Sequence, residues 1–177
     1  MRIISLCRGT NKKTSREIIL RELGEDFDVD SYMKKTSDYF KVISENEGIA
    51  LMPYVKECLA YLEKKGYRLA LASSTRKVVV ESQLTRAGLI EYFDYRMSGD
   101  MVKNSKPDPE IYLSAVKLLG LKPEECVGIE DSLNGLRSAH GAGLVTVMVP
   151  DRAPANEETA KVTDYLCQSL KDVMDIF

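Results

Sequence analysis

From Tyr67 onward the sequence alternates short apolar runs with amphipathic stretches, and this alternation limits the fold more than any other feature. "YRLALASS" reads as a buried strand running into a polar turn, and "KVVVESQLTRAGL" as a helix closed by Gly88. "YFDYRMSGD" carries a short strand, and "DPEIYLSAVKLLG" is a helix with Pro109 in its first turn, where a missing N–H is tolerated. "CVGIED" is a strand, "SLNGLRSAHGAG" a helix and "LVTVMV" a strand. "DYLCQSL" is a short strand or loop, and "SLKDVMDIF" a terminal helix. The pattern predicts an α/β fold built on a doubly wound parallel sheet.

Ahead of Tyr67 the periodicity is helical. Ile18, Ile19, Leu20 and Leu23 mark one helix ending at Gly24, and Tyr32, Tyr39, Phe40 and Ile43 mark a second after "EDFDVD". Tyr54, Val55, Leu59 and Leu62 mark a third, between Pro53 and Gly66. Within this region only Ile3–Leu6 suits a short strand. The expected organisation is a helical appendage over residues 1–52 and an α/β core over 53–177, divided near Leu51 to Tyr54.

A net charge of −2 lacks the basic excess that nucleic-acid or membrane-surface binding usually needs. No apolar run approaches the roughly 18 residues that span a bilayer, and "MRIISLCRGT" is too short in its apolar part for a secretory signal. Cys7, Cys58, Cys126 and Cys167 are scattered without a C-x-x-C pair, which suits reduced thiols and a cytoplasmic location. The single histidine, His140, sits near a helix end and reads as a capping residue. One histidine leaves no material for a His-based triad or a multi-His metal site.

In an open parallel sheet, ligands bind beyond the carboxyl ends of the strands. Three segments there carry reactive groups. Ser73, Ser74 and Thr75, followed by Arg76, form either an anion site or the N-cap of the next helix. Lys106 is followed by Pro107 and Pro109, which favour an extended and stiff presentation of its ammonium. It is either a point-charge clamp or a solvated loop lysine. Glu130 and Asp131 end an apolar strand, where carboxylates are costly unless a cation meets them. Mg²⁺ takes one or two carboxylates with water and phosphate, whereas zinc would want His or Cys. The alternative for Asp131 is the N-cap of the following helix.

Together these segments resemble the haloacid dehalogenase superfamily of phosphatases and phosphomutases, most nearly its β-phosphoglucomutase-like branch with a helical cap. Ser73 in "LALASSTR" matches the second motif, Lys106 in "SKPDPEIY" the third, and Glu130 with Asp131 in "GIEDSLNG" the fourth. Order and spacing agree, and the likeness covers most of the chain. It implies a Rossmannoid core, a Mg²⁺ cofactor and a small phosphorylated metabolite such as a sugar phosphate. Ser73 and Lys106 would be catalytic, Glu130 and Asp131 metal ligands, and Ser74, Thr75 and Arg76 neighbours of the substrate. In "RGTNKKTS", Arg8, Gly9, Lys12 and Ser15 fall on the cap pattern that holds the distal part of the substrate, with Lys35 a further cap cation.

The sequence departs from that pattern at one place. The family's first motif is an apolar strand ending in Asp-x-Asp, which supplies the nucleophile and the general acid/base. Nothing here matches it. Asp26, Asp28 and Asp30 in "EDFDVDSY" follow a helix end, and Asp30 suits the N-cap of the next helix. The expectation is a core without its first strand, a partial cap, no nucleophile in this chain and weak Mg²⁺ affinity. Such a sheet exposes unpaired edges unless Ile3–Leu6 or another chain covers them, so self-association or marginal stability is expected. Two readings follow: a Mg²⁺-dependent phosphatase or phosphomutase of the family, or a truncated, non-catalytic member that binds phosphate or a partner chain. A generic nucleotide-binding domain ranks below both, since no G-x-G-x-x-G occurs.

Overall fold

The computed structural model describes residues 2–177. The chain opens with helices α1 (Arg2–Cys7), α2 (Lys12–Leu23), α3 (Val29–Glu47) and α4 (Val55–Lys64). Asn11 starts α2 by accepting the Thr14 N–H at 2.9 Å, and Gly24 ends it at φ 99°, a backbone that favours glycine. Two expectations fail here. Ile3–Leu6 lies inside α1 rather than in a strand; a helix closes its own hydrogen bonds, and α1 packs on α2 instead of beside a sheet. The N-cap of α3 is Asp28, whose carboxylate accepts the Ser31 N–H at 3.0 Å. Asp30 already stands in the first turn and pairs with Arg16 at 3.0 Å.

The α/β part follows in the expected order: β1 (Ala70–Ser73), α5 (Lys77–Ala87), β2 (Tyr95–Ser98), α6 (Glu110–Leu119) and β3 (Val127–Glu130). It continues through α7 (Leu133–Gly141), β4 (Val145–Met148), α8 (Glu157–Ala160), β5 (Tyr165–Leu166) and α9 (Leu170–Ile176). All strand pairings are parallel: Ala70 lies opposite Tyr95, Val127 opposite Val145, and Val147 opposite Tyr165. The sheet comes in two pieces, β2-β1 and β3-β4-β5. Among the described residues β1 and β3 are each unpaired on one side.

Helices cover both faces. On one, Ile111, Tyr112, Ala115 and Val116 of α6 pack with Met97, Ala139 and Leu144, and Ala70 and Ala72 of β1 lean against them. On the other, Cys58 and Leu62 of α4 pack with Val147, Val149, Cys167 and Val173, joined by Leu69. Gly128 lets α7 approach β3, because a Cβ there would lie 2.7 Å from the Ala139 methyl. All four cysteines are free thiols. Among the described residues no helix is long and apolar enough to cross a membrane.

Stability should concentrate in this helix–sheet core. Leu136 on α7 is fully buried, and Leu136→Ala is expected to cost about 3 kcal/mol in urea denaturation. Tyr39→Ala, on an α3 side chain that is 71% exposed, should change the midpoint little.

Candidate active site

The loop from β2 to α6 aims Lys106, and several side chains brace it. The Glu110 carboxylate accepts the N–H groups of Lys103 and Asn104, each at 2.8 Å, and these bonds hold its pKa below the usual value. Ser138 Oγ donates to Asp108 O at 2.6 Å, and the hydroxyls of Thr14 and Ser105 meet at 2.8 Å. The Lys106–Pro107 peptide bond is cis.

Lys106 is only 5% exposed, so it is no solvated loop lysine. Its ammonium donates to the Ala72 carbonyl at 2.9 Å and to Glu130 Oε1, and lies 4.9 Å from the centre of the Tyr112 ring. Two of its three N–H groups are thus engaged.

Glu130 ends β3 as expected, but its partners are specific. Oε1 receives Lys106 and also the Tyr112 hydroxyl at 2.5 Å. Burial, then the neighbouring Glu130 charge, pushes the Tyr112 hydroxyl well above its ordinary pKa, so it stays protonated and donating at neutral pH. The carboxylate rests against Gly135 in the first turn of α7, where a Cβ would collide with it. The N-terminal end of a helix also favours negative charge.

Asp131 follows without an ion-pair partner among the described residues. Its carboxyl pKa is raised, first by burial and then by the Glu130 charge, with Asp151 adding to the effect. It does not cap α7: Ser132 does, accepting the Gly135 N–H at 3.2 Å. A backbone hydrogen bond and the Lys106 charge offset that rise only in part.

Ser73, Ser74 and Thr75 do not cap α5 either. Arg76 occupies the N-cap position with no side-chain bond, and Asp100 accepts the Lys77 N–H at 2.9 Å instead. Ser73 Oγ accepts the Thr75 N–H at 3.2 Å, which leaves its own proton to donate outward. Ser74 Oγ donates to Gly9 O at 2.7 Å. Thr75 and Arg76 are exposed beyond the strand end.

The α1–α2 loop reaches the same rim through its backbone. Arg8 O accepts Asn134 Nδ2 at 2.9 Å, and Gly9, at φ 75°, sits so close to Ser132 that a Cβ would meet its Oγ at 2.9 Å. The remaining appendage residues named from the sequence make no hydrogen bond to Ser73, Lys106, Glu130 or Asp131 among the described residues. Ser15 shares a hydrogen bond with Thr10 at 2.8 Å, Lys12 is exposed near Asp30, and Lys35 is exposed on α3. Asp26 and Asp28 lie in the α2–α3 turn and Asp30 in the first turn of α3, so none of them follows a strand in the chain.

Sequence reasoning missed Tyr112 and Gly135. Tyr112 left a signal, since a tyrosine among Ile111, Ala115 and Val116 on a buried helix face needs a partner for its hydroxyl. Gly135 left a weaker one, as a glycine in a helix interior carries a cost unless close approach requires it.

Two outcomes follow from this geometry. Gly135→Ala should displace the Glu130 carboxylate and lower stability by about 2 kcal/mol or more, measured by urea denaturation. A raised native pKa means that the folded state holds the Asp131 proton more tightly than the unfolded chain does. The group therefore supports folding below the ordinary carboxylate pKa, and that support is lost as pH rises through the raised value. Asp131→Asn should accordingly gain stability relative to the parent between pH 4 and pH 7, as read from paired denaturation midpoints.

The haloacid dehalogenase-like hydrolase family model matches residues 5–149. Protein CbbY of Cereibacter sphaeroides is 41% identical over 135 residues, covering 74% of this chain and 58% of that protein. The phosphorylated carbohydrates phosphatase of Thermotoga maritima is 38% identical over 120 residues, 68% of this chain and 53% of that protein. The chain thus spans a little over half the length of these relatives. Among solved structures, CbbY from Rhodobacter sphaeroides in complex with phosphate aligns at a TM-score of 0.81 and 33% identity, over 95% of this chain and 77% of that one. A putative β-phosphoglucomutase from Thermotoga maritima aligns at 0.73 and 29% identity, over 99% and 79%. The parallel α/β core and these matches together establish that the chain belongs to the haloacid dehalogenase-like hydrolases.

Proposed function

We propose that this chain carries the phosphoryl-binding side of a sugar-phosphate phosphatase. The observation behind this reading is the buried Lys106 ammonium, fixed at the strand-end rim by the Ala72 carbonyl and Glu130. A tetrahedral phosphate suits that donor and the hydroxyl proton of Ser73, whose oxygen already accepts the Thr75 N–H. Glu130 aims Lys106, and Tyr112 and Gly135 keep Glu130 in place. Residues 1–52 act as a partial cap over the rim, where Arg8 and Gly9 approach the leaving group and Lys12, Ser15 and Lys35 line the outer path. The phosphorylated-carbohydrate activity in the name of one relative supports a sugar phosphate as the ligand.

Mg²⁺ suits Asp131, a hard oxygen donor whose charge is compensated only in part, with Glu130, water and phosphate oxygens completing the shell. Such an ion would neutralise charge on the phosphoryl oxygens. Among the described residues no group of three or more His, Cys, Asp or Glu side chains is placed to hold a metal.

A second reading is binding without turnover. It draws on the rim itself, where Glu130 is committed to Lys106 and Tyr112, and on the placement of Asp26, Asp28 and Asp30, none of which follows a strand in the chain. In this reading the 177 residues bind the phosphoryl group, and an attacking carboxylate must come from outside them.

Calorimetric titration with a hexitol phosphate in Mg²⁺, paired with a phosphate-release assay, tests both readings. Saturable binding that Lys106→Met weakens by about tenfold to a hundredfold is expected, matching the loss of one charge-assisted hydrogen bond. Equal binding by the variant would remove Lys106 from the ligand site. Phosphate release by the unextended chain would reject binding without turnover.

A further inference from the structure

The loop that carries Lys106 is braced largely from within. Glu110 accepts the N–H groups of Lys103 and Asn104, the Asp108 carboxylate accepts the Glu110 N–H at 2.9 Å, and the Asp108 N–H donates to Ser105 O at 3.0 Å. The Ser105 side chain reaches elsewhere. Its hydroxyl meets Thr14 Oγ1 at 2.8 Å, in the first turn of α2 and 91 residues away in the chain. Ser105 directly precedes Lys106, so this bond joins the appendage to the residue next to the buried ammonium.

A threonine hydroxyl in a helix ordinarily turns back to a carbonyl three or four residues earlier. Thr36 on α3 does so, donating to Tyr32 O at 2.9 Å. Thr14 instead meets a hydroxyl on another element, and both partners are half-buried, which limits competition from water. Asn11 fixes the Thr14 backbone by accepting its N–H at 2.9 Å. The loop just before is seated at two more points: Ser74 Oγ donates to Gly9 O at 2.7 Å, and Asn134 Nδ2 to Arg8 O at 2.9 Å. Residues 8–14 are therefore bonded to the segments that follow β1, β2 and β3, which carry Ser73, Lys106 and the Glu130–Asp131 pair.

We infer that Thr14 and Ser105 are positioning residues that select a phosphate ester over free phosphate. Lys106 is already fixed by Ala72 and Glu130, so the hydroxyl pair is not needed to aim it. What the pair fixes is the register of residues 8–14 over the lysine. A ligand with its phosphoryl group on Lys106 and its carbon portion under those residues draws on both sides of the pair. Inorganic phosphate draws on the lysine side alone. The contact therefore favours the ester over the phosphate that its hydrolysis releases. This inference rests on the reading of Lys106 as the phosphoryl-binding cation.

Calorimetric titration of the full 177-residue chain in Mg²⁺, with a hexitol phosphate and separately with inorganic phosphate, tests it. Thr14→Val keeps the shape of the side chain and removes the hydroxyl. It should weaken the hexitol phosphate about threefold to tenfold and change phosphate affinity less than about twofold. Ser105→Ala should do the same from the other side, the double variant should be no weaker than either single one, and Thr14→Ser should restore parent affinity. Equal weakening of both ligands, no weakening of either, or losses that add in the double variant would overturn the inference. Lys106→Met separates its failure from that of the underlying reading. A parent chain that binds neither ligand, or binding that Lys106→Met leaves unchanged, sinks both. If Lys106→Met weakens both ligands while the hydroxyl variants match the parent, only the selection by Thr14 and Ser105 fails.

Discussion

The buried ammonium of Lys106 is the contact on which the rest of the architecture turns. It holds the Ala72 carbonyl at the end of β1 and the Glu130 carboxylate at the end of β3, so one side chain joins two pieces of sheet that share no ladder. Burying two charges costs several kcal/mol per ion unless geometry and further hydrogen bonds compensate. Here the Tyr112 hydroxyl adds a donor to the same carboxylate, its ring faces the ammonium, and Gly135 leaves room for close approach. Removing either partner would strand the other in a nearly dry site. The arrangement therefore fixes both the spacing of the strand ends and the aim of the ammonium.

Around that clamp the two half-sheets are held by helices. Both faces are layered, as a parallel sheet requires, yet among the described residues β1 and β3 each keep one unpaired edge. Helix packing can set the separation of two sheet fragments without satisfying the polar groups along their edges. The binding rim depends on the same geometry, because Ser73, Lys106 and Asp131 all stand where the open edges end.

Much of this was legible in the chain. The order of strands and helices from Tyr67 onward followed from apolar runs and punctuation, with Gly88 and Gly120 closing helices in the left-handed conformation that glycine permits. Ser73, Lys106, Glu130 and Asp131 were identified from strand ends and from the spacing they share with a known family, and the structure brings them to one rim. What stayed hidden was partnership. The sequence offered Glu130 as a metal ligand, and its direct bonds to Lys106, 24 residues away in the chain, and to Tyr112 came only with the structure. One cap was misassigned: Asp28 rather than Asp30 starts α3, while Ser132 takes the α7 cap that was the alternative role for Asp131. Cap choice depends on where φ and ψ turn helical, which single-residue preference does not resolve.

The central claim is that Lys106 and Glu130 act as one buried unit joining the two half-sheets. A double-mutant cycle with Lys106→Met and Glu130→Gln, read by urea denaturation, measures that directly. The account predicts a coupling of about 2–3 kcal/mol, because each single variant leaves a buried group without its partner. A coupling below about 0.5 kcal/mol would show the two side chains to be independent and would contradict it.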